Sequence, residues 1–370
     1  MPTKIESRES FFLNILRGLA IFGVVAMHSA QAVESINVHH ESIYVREILY
    51  LGRYGVEVFF FLSGWLLAAL YGFQGDSISK GFFRRRLARI YPLWIIFLII
   101  YFLLGRFYQV GGFYLSENSK FDLQIVNDPL VITILALTFT LFLSSNLWNS
   151  VIPGGWSIQS EICHYILFPF IRRYSLKGLL SIVSLINIFS ILLLLVNAKI
   201  ESNLPALYAL VSTWLRLGLY STFSFFIAGI IAQRYFRSTE EEKLKEIWTR
   251  KSFILFILTS FCVNCPQGIQ IEAIGYLFCN LLIANALTGH VRLGNLFSFL
   301  GKYSYFLYFS HFLVIQFAIS YLDSSHIIFN FHGDQMVVFA FIFTLALACS
   351  LTLAIPSYKF IEGPIIRYFR

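Results

Sequence analysis

Long apolar runs recur along the whole chain between short charged connections, and this alternation constrains the fold more than any other feature. A helix needs about 17–25 mostly apolar residues to cross a bilayer, and such runs fall at 11–33, 56–73, 90–106, 156–172, 178–197, 207–235, 252–267, 270–288, 296–321 and 336–357. Because lipid offers backbone groups no hydrogen-bond partners, runs of this length fold as helices. Apolar residues make up 57% of the chain and charged ones 13%, against about 45–50% and about 25% in soluble domains. The chain therefore reads as an all-α polytopic membrane protein of about ten transmembrane helices, one membrane domain over 1–370 with no soluble appendage. A soluble globular, disordered or fibrous chain is excluded. The first run carries Arg17 and no small-residue cleavage site follows it, so it reads as a retained span and not a signal peptide.

One further apolar stretch, 129–143, is short and threonine-rich, and charge decides whether it crosses. If it does not, 21 of the 28 Lys and Arg fall on the side of the N-terminus. If it does, every later loop inverts and most basic clusters face outward. The positive-inside rule favours ten spans with both termini cytoplasmic. The net charge of +8 is thereby read as topology, and no nucleic-acid partner is expected. Five cysteines, odd in number and mostly within apolar runs, imply no disulfide framework; Cys262 and Cys265 alone pair if their helix end faces an oxidising compartment, and apolar cysteine in a membrane helix is the commoner reading.

An ionisable group inside a span costs about 2.5–3.5 kcal/mol or more, which makes each one a candidate functional residue. Arg17 and His28 lie eleven residues apart in the first span, on one face and about 16 Å apart along the axis. Glu161 lies about five residues into the fourth span from the outer side, at the depth of His28, about 7 Å below that surface. A carboxylate beside an imidazole fixes its tautomer and raises its basicity, the arrangement of a general base. A buried pair that only satisfies itself is the structural alternative. Glu57 opens the second span near the same depth, and Ser63-Gly64 near its middle permits close approach of either a neighbouring helix or a ligand. Tyr305, Tyr308 and His311 form one polar stripe on the ninth span. No metal-ligand cluster is expected. At the inner face Arg84, Arg85, Arg86 and Arg89 stand among aromatics at the mouth of a span. Lipid anchoring and phosphate binding through paired guanidinium donors explain them equally well.

Six segments in order resemble the acyltransferase 3 family of OafA-like integral membrane acyltransferases, over nearly the whole chain. They are Arg17-Gly18-Leu19-Ala20-Ile21 through His28; Gly55-Val56-Glu57 through Ser63-Gly64; Phe83-Arg84-Arg85-Arg86-Leu87-Ala88-Arg89-Ile90-Tyr91-Pro92; Trp156-Ser157-Ile158 with Glu161; Ser304-Tyr305-Phe306-Leu307-Tyr308 with His311; and Tyr358 through Glu362-Gly363-Pro364. The resemblance implies ten core helices and transfer of an acyl group, commonly acetyl from acetyl-CoA, to a hydroxyl of a carbohydrate or other acceptor. It also implies His28 as the catalytic histidine, Arg17 as essential and the arginine segment as a cytoplasmic donor-binding element. The family segment after Trp-Ser often carries two adjacent acidic residues, whereas here Ser160 precedes Glu161.

These readings combine into one expectation: a multi-pass O-acetyltransferase of a bacterial cytoplasmic (inner) membrane, with acetyl-CoA or another acyl-CoA as donor. Its acceptor would be a surface or exported polysaccharide or a lipid-linked precursor, within reach of a polysaccharide assembly system. His28, Glu161 and Arg17 are the expected catalytic residues. Arg84, Arg85, Arg86, Arg89, Ser63, Gly64, Tyr305, Tyr308 and His311 are expected to bind the donor, and Glu57, Trp156 and Ser157 the acceptor. Direct transfer and an acyl-histidine relay are both open. The rival reading is a proton-coupled transporter or flippase, since intramembrane Arg, His and Glu also build proton relays.

Overall fold

The computed structural model describes residues 7–35, 42–52, 54–71, 81–108, 129–140, 152–200, 219–238, 269–324 and 335–369. The expected span 252–267 lies outside them, as do Cys262, Cys265 and most of the charged segment 234–251. The described residues fold as α1 (Ser7–Ser35), α2 (Ile43–Gly52), α3 (Gly55–Tyr71), α4 (Phe82–Tyr108), α5 (Pro129–Leu137), α6 (Gly155–Ile171), α7 (Leu176–Ile200), α8 (Leu219–Ser238), α9 (Ile269–Gly289), α10 (Val291–Ser324), α11 (Gln335–Ser357), a π turn (Tyr358–Glu362) and α12 (Gly363–Tyr368).

Three stretches among the described residues are long and apolar enough to cross a membrane: Glu9–Glu34, Phe82–Leu104 and Gln335–Tyr368. Helices α3 and α6, 17 residues each, sit at the lower bound for a span. Along α7, Leu180, Leu185, Ile188, Phe189 and Leu192 are each between 48% and 65% exposed. A soluble protein does not display such a stripe, whereas lipid receives it without cost. Among the described residues Cys163, Cys279 and Cys349 are free thiols.

Three boundaries differ from the sequence expectation, each for a physical reason. The arginines are not in a loop: α4 starts at Phe82, so Arg84, Arg85, Arg86 and Arg89 occupy its first two turns. Arginine is a good helix former, and a helix does not have to stop where the hydrocarbon does. Helix α2 was not anticipated, because ten residues fall short of a span. Of the stretch 129–143, residues 129–140 are described, and among these the nine of α5 are helical; its last carbonyls receive Trp94 Nε1 at Ala136 (3.0 Å) and Tyr91 Oη at Leu137 (2.8 Å). Capping by α4 side chains ends the helix after about 14 Å, short of a bilayer.

The chain divides into two units. One comprises Met1–Leu19, Val56–Lys80 and Ser160–Phe299. Within it α3 and α8 cross at two glycines. A Cβ on Gly64 would lie 1.9 Å from the Phe226 carbonyl oxygen, and one on Gly229 would lie 2.0 Å from that of Phe61. Gly18 meets the Phe297 backbone in the same way. Small residues permit this backbone contact, which is what associates helices in lipid. At one end of this unit Arg172 donates to the Tyr71 carbonyl (3.0 Å) and Arg234 to the carbonyls of Tyr174 and Arg172, satisfying the orphan acceptors at the ends of α3 and α6.

The second unit comprises Ala20–Gly55, Gly81–Gln159 and Leu300–Arg370. Its spine is the pair α4 and α10. Tyr305 Oη donates to the Ile90 carbonyl (3.3 Å), and further along Tyr101 Oη donates to the Phe309 carbonyl (3.1 Å), with Phe97 stacked on Phe309 at 5.2 Å. The contacts climb both helices together, so the two run parallel. The C-terminal segment closes their shared beginning, with Lys302 Nζ 4.8 Å over the Tyr358 ring and the Arg84 guanidinium 5.4 Å over Phe369.

Candidate functional site

In the second unit α1 and α10 bring two imidazoles together. The His28 and His311 ring centroids are 5.3 Å apart, and Phe312 packs against both, at 4.3 and 4.1 Å. Each ring has its Nδ1 occupied. On α1, Gln31 stands three residues after His28, and its Oε1 lies 3.2 Å from His28 Nδ1. On α10, His311 Nδ1 is 2.8 Å from the carbonyl of Leu307, four residues earlier. Both partners are acceptors, so both rings carry the proton on Nδ1 and keep the lone pair on Nε2, the tautomer a general base needs. His311 is fully buried, and among the described residues its Nε2 has no hydrogen-bond partner.

Beside them, a hydroxyl pair locks the start of α6 onto α10. Tyr308 Oη and Ser157 Oγ are 2.7 Å apart, and both lie 3.0 Å from the Gly154 carbonyl. Gly154 adopts φ +75°, a region that favours glycine. A Cβ there would also press on Tyr308 and Phe312 at 3.0 Å.

The arginines stand at the start of α4, the helix that runs beside α10. Arg86 and Arg89 share a helical face with Phe82 and Leu93, which are fully buried, while Arg84 is exposed. The positive end of the helix dipole adds to these charges, so anions are favoured at this end. Along the spine, Arg86 is four residues before Ile90 on α4, and His311 is six residues beyond Tyr305 on α10. With Tyr305 bonded to Ile90, the backbone levels of Arg86 and His311 are about 15 Å apart along the axis.

The first unit holds the remaining candidates. Arg17 donates to Asn14 Oδ1 at 2.9 Å. Glu161 Oε1 accepts from Ser63 Oγ at 3.3 Å and from Tyr165 Oη, a short hydrogen bond. Glu57 occupies the first turn of α3. His164, buried among Phe60, Phe223 and Phe226, bonds Thr222 Oγ1 at 3.1 Å. Of the two readings open for Gly64, approach of a neighbouring helix is the one its surroundings describe. Gln31 brings an oxygen to the His28 ring, and Ser63 and Tyr165 bring hydroxyls to Glu161. Gln31 is not among the expected residues, although it stands three residues from His28 on one helix, the same spacing that joins Tyr305, Tyr308 and His311.

A family model described as "Acyltransferase domain" matches residues 10–355. A Staphylococcus aureus (strain COL) protein designated a candidate O-acetyltransferase is 26% identical over 386 residues, covering 95% of this chain and 56% of the relative. The O-acetyltransferase OatA of Staphylococcus aureus (strain NCTC 8325) is 23% identical over 391 residues, with the same coverage of 95% and 56%. The chain thus spans little more than half the length of these curated relatives. No solved structure matches it.

Proposed function

This chain belongs to the acyltransferase domain family, and from that premise we propose that it is a multi-pass membrane O-acyltransferase using acyl-CoA, with acetyl the expected acyl group, to esterify a hydroxyl of a carbohydrate acceptor. The observation that carries the reading is the spine of the second unit, where α4 opens with an arginine cluster and the parallel α10 carries His311, beside His28 of α1, about 15 Å beyond. The pantetheine arm runs thirteen bonds from phosphate to sulfur, about 16 Å at roughly 1.2 Å per bond of extended chain. A donor with its phosphates on Arg84, Arg85, Arg86 and Arg89 therefore delivers its thioester to the level of His28. The O-acetyltransferase names of the bacterial relatives support the same reading.

In this reading His28 Nε2 takes the proton of the acceptor hydroxyl while the oxygen attacks the thioester carbonyl carbon. The carbon–sulfur bond then breaks, and the proton passes from the imidazolium to the departing thiolate, leaving an O-acyl ester and free CoA. Gln31 holds the ring in the tautomer that makes this possible. Arg17 and Glu161 are retained as proposed catalytic residues, with Glu57, Trp156 and Ser157 on the acceptor side. The setting is a bacterial cytoplasmic membrane, both termini inside, alongside a polysaccharide assembly system.

The test is CoA release from acetyl-CoA by detergent-purified protein. Wild type releases CoA slowly even with water as acceptor. His28→Ala removes the base and abolishes release without loss of folded protein, and Glu161→Gln lowers release. Near-normal turnover by His28→Ala would overturn the mechanism, and wild type that releases none would return the transporter reading.

A further inference from the structure

The functional reading uses one imidazole, yet the second unit holds two. His311 is the more tightly fixed: its Nδ1–H is spent on the Leu307 carbonyl at 2.8 Å, the ring is fully buried, and among the described residues its Nε2 lone pair meets no donor. An unmatched buried acceptor costs free energy, so a donor supplied by a ligand is the natural complement. Taken as base, His28 claims the acceptor hydroxyl, so the donor for His311 is to be sought on the acyl-CoA. A thioester has no N–H or O–H. The nearest hydrogen-bond donor to its sulfur is the amide N–H of the cysteamine segment, three bonds away.

We propose that His311 binds the pantetheine arm of the donor, its Nε2 accepting a hydrogen bond from the amide N–H nearest the thioester, and thereby sets the reacting carbonyl beside His28. This rests on the proposed acyl-CoA function and adds to it a positioning atom. The geometry agrees on two counts. The arm approaching from the arginines runs along α10 past Tyr305 before it reaches His311, so the last amide arrives at that ring. From that amide nitrogen to the thioester carbonyl carbon is four bonds, about 5 Å extended, and the His28 ring centre is 5.3 Å from that of His311. Phe312, packed against both rings, leaves an apolar wall beside the arm and strengthens a hydrogen bond made there.

The test pairs a change in the protein with a change in the ligand. CoA release is measured on the detergent-purified full chain with acetyl-CoA and with an analogue whose cysteamine amide N–H is replaced by an ester oxygen, for wild type, His311→Phe and His311→Asn. In wild type the analogue should lose about tenfold in kcat/KM, the scale of one net hydrogen bond. Each variant should lose about the same with acetyl-CoA and nothing more with the analogue, because the two changes delete one interaction. The wild-type arm stands alone if the variants fail to fold. Wild type that turns over both thioesters equally overturns the assignment and leaves the acyltransferase reading intact. Losses that multiply in the variants overturn it too. Wild type that releases CoA from neither overturns the functional reading and this one with it.

Discussion

In the proposed mechanism the two ring nitrogens of His28 have separate jobs, and Gln31 makes them so. With Oε1 of Gln31 3.2 Å from Nδ1, the proton is held on that side and Nε2 is left basic. Replacing Gln31 by Leu removes the acceptor, lets the other tautomer form and lets the ring turn. We expect kcat to fall about tenfold, the scale of one net hydrogen bond, with KM for acetyl-CoA unchanged. Gln31→Glu still offers an acceptor oxygen and should restore most of the rate. Steady-state kinetics on the purified variants check both statements, and a rise in KM without loss of kcat would place Gln31 in donor binding instead. At this scale the sequence revealed the expensive residues and not their partners. Arg17, His28, Glu161 and His311 stood out because each is costly in an apolar run. That His28 lies beside His311, 283 positions away, or that Ser63 donates to Glu161, depends on tertiary packing, which no local pattern encodes.

Helices in this chain are held to each other by what their side chains leave out as much as by what they bring. Gly64 and Gly229 are spaces into which the partner backbone fits. Gly64→Ala places a methyl where the Phe226 carbonyl oxygen stands, forcing a shift that costs about 1–3 kcal/mol. The purified variant should unfold at lower temperature while acetyl-CoA binding by its folded fraction is unchanged. Lost binding at undiminished stability would favour the ligand reading of Gly64. Helix α4 makes a different demand. Its first two turns carry four arginines, and topology signalling and phosphate binding predict different responses to substitution. For phosphate, Arg86→Gln with Arg89→Gln raises the acyl-CoA requirement strongly, since charge-assisted bonds contribute about 1.5–3 kcal/mol each. Lysine rescues poorly, because an ammonium cannot reproduce the guanidinium fork. For topology alone lysine substitutes fully, and the glutamine variant is misinserted or absent. Binding of a CoA analogue to wild type and the Lys and Gln variants separates the two. The extent of α4 was itself only half legible: hydropathy marks where a helix is apolar, and α4 begins eight residues before the expected span, through residues that are polar but helix-forming.

Across the whole molecule, direction is the property that ties charge to mechanism. Helices α4 and α10 run parallel in their unit, and two parallel spans require an odd number of crossings between them. The expected spans 156–172, 178–197, 207–235, 252–267 and 270–288 supply five. Were 129–143 a further crossing, the number would be even and α4 and α10 would oppose one another. The nine-residue length of α5 and the distribution of Lys and Arg agree with that parity, so three arguments stand against a crossing at 129–143 and favour the later basic loops sharing a face with the arginines of α4. In the proposed mechanism, with both termini cytoplasmic, the side of those arginines is also the one from which the donor enters. A cysteine introduced within 34–41 or 116–118 should therefore react with an impermeant thiol reagent added to intact cells. One at Ser238, the last residue of α8, should react only after permeabilisation. Native Cys163, Cys279 and Cys349 lie half-buried within α6, α9 and α11, and a parent in which all five native cysteines are replaced by Ala or Ser provides the background. Labelling of Ser238→Cys in intact cells would mean that 129–143 crosses after all, that the arginines and the later basic loops lie on opposite faces, and that acyl-CoA does not reach the imidazoles along α4 and α10.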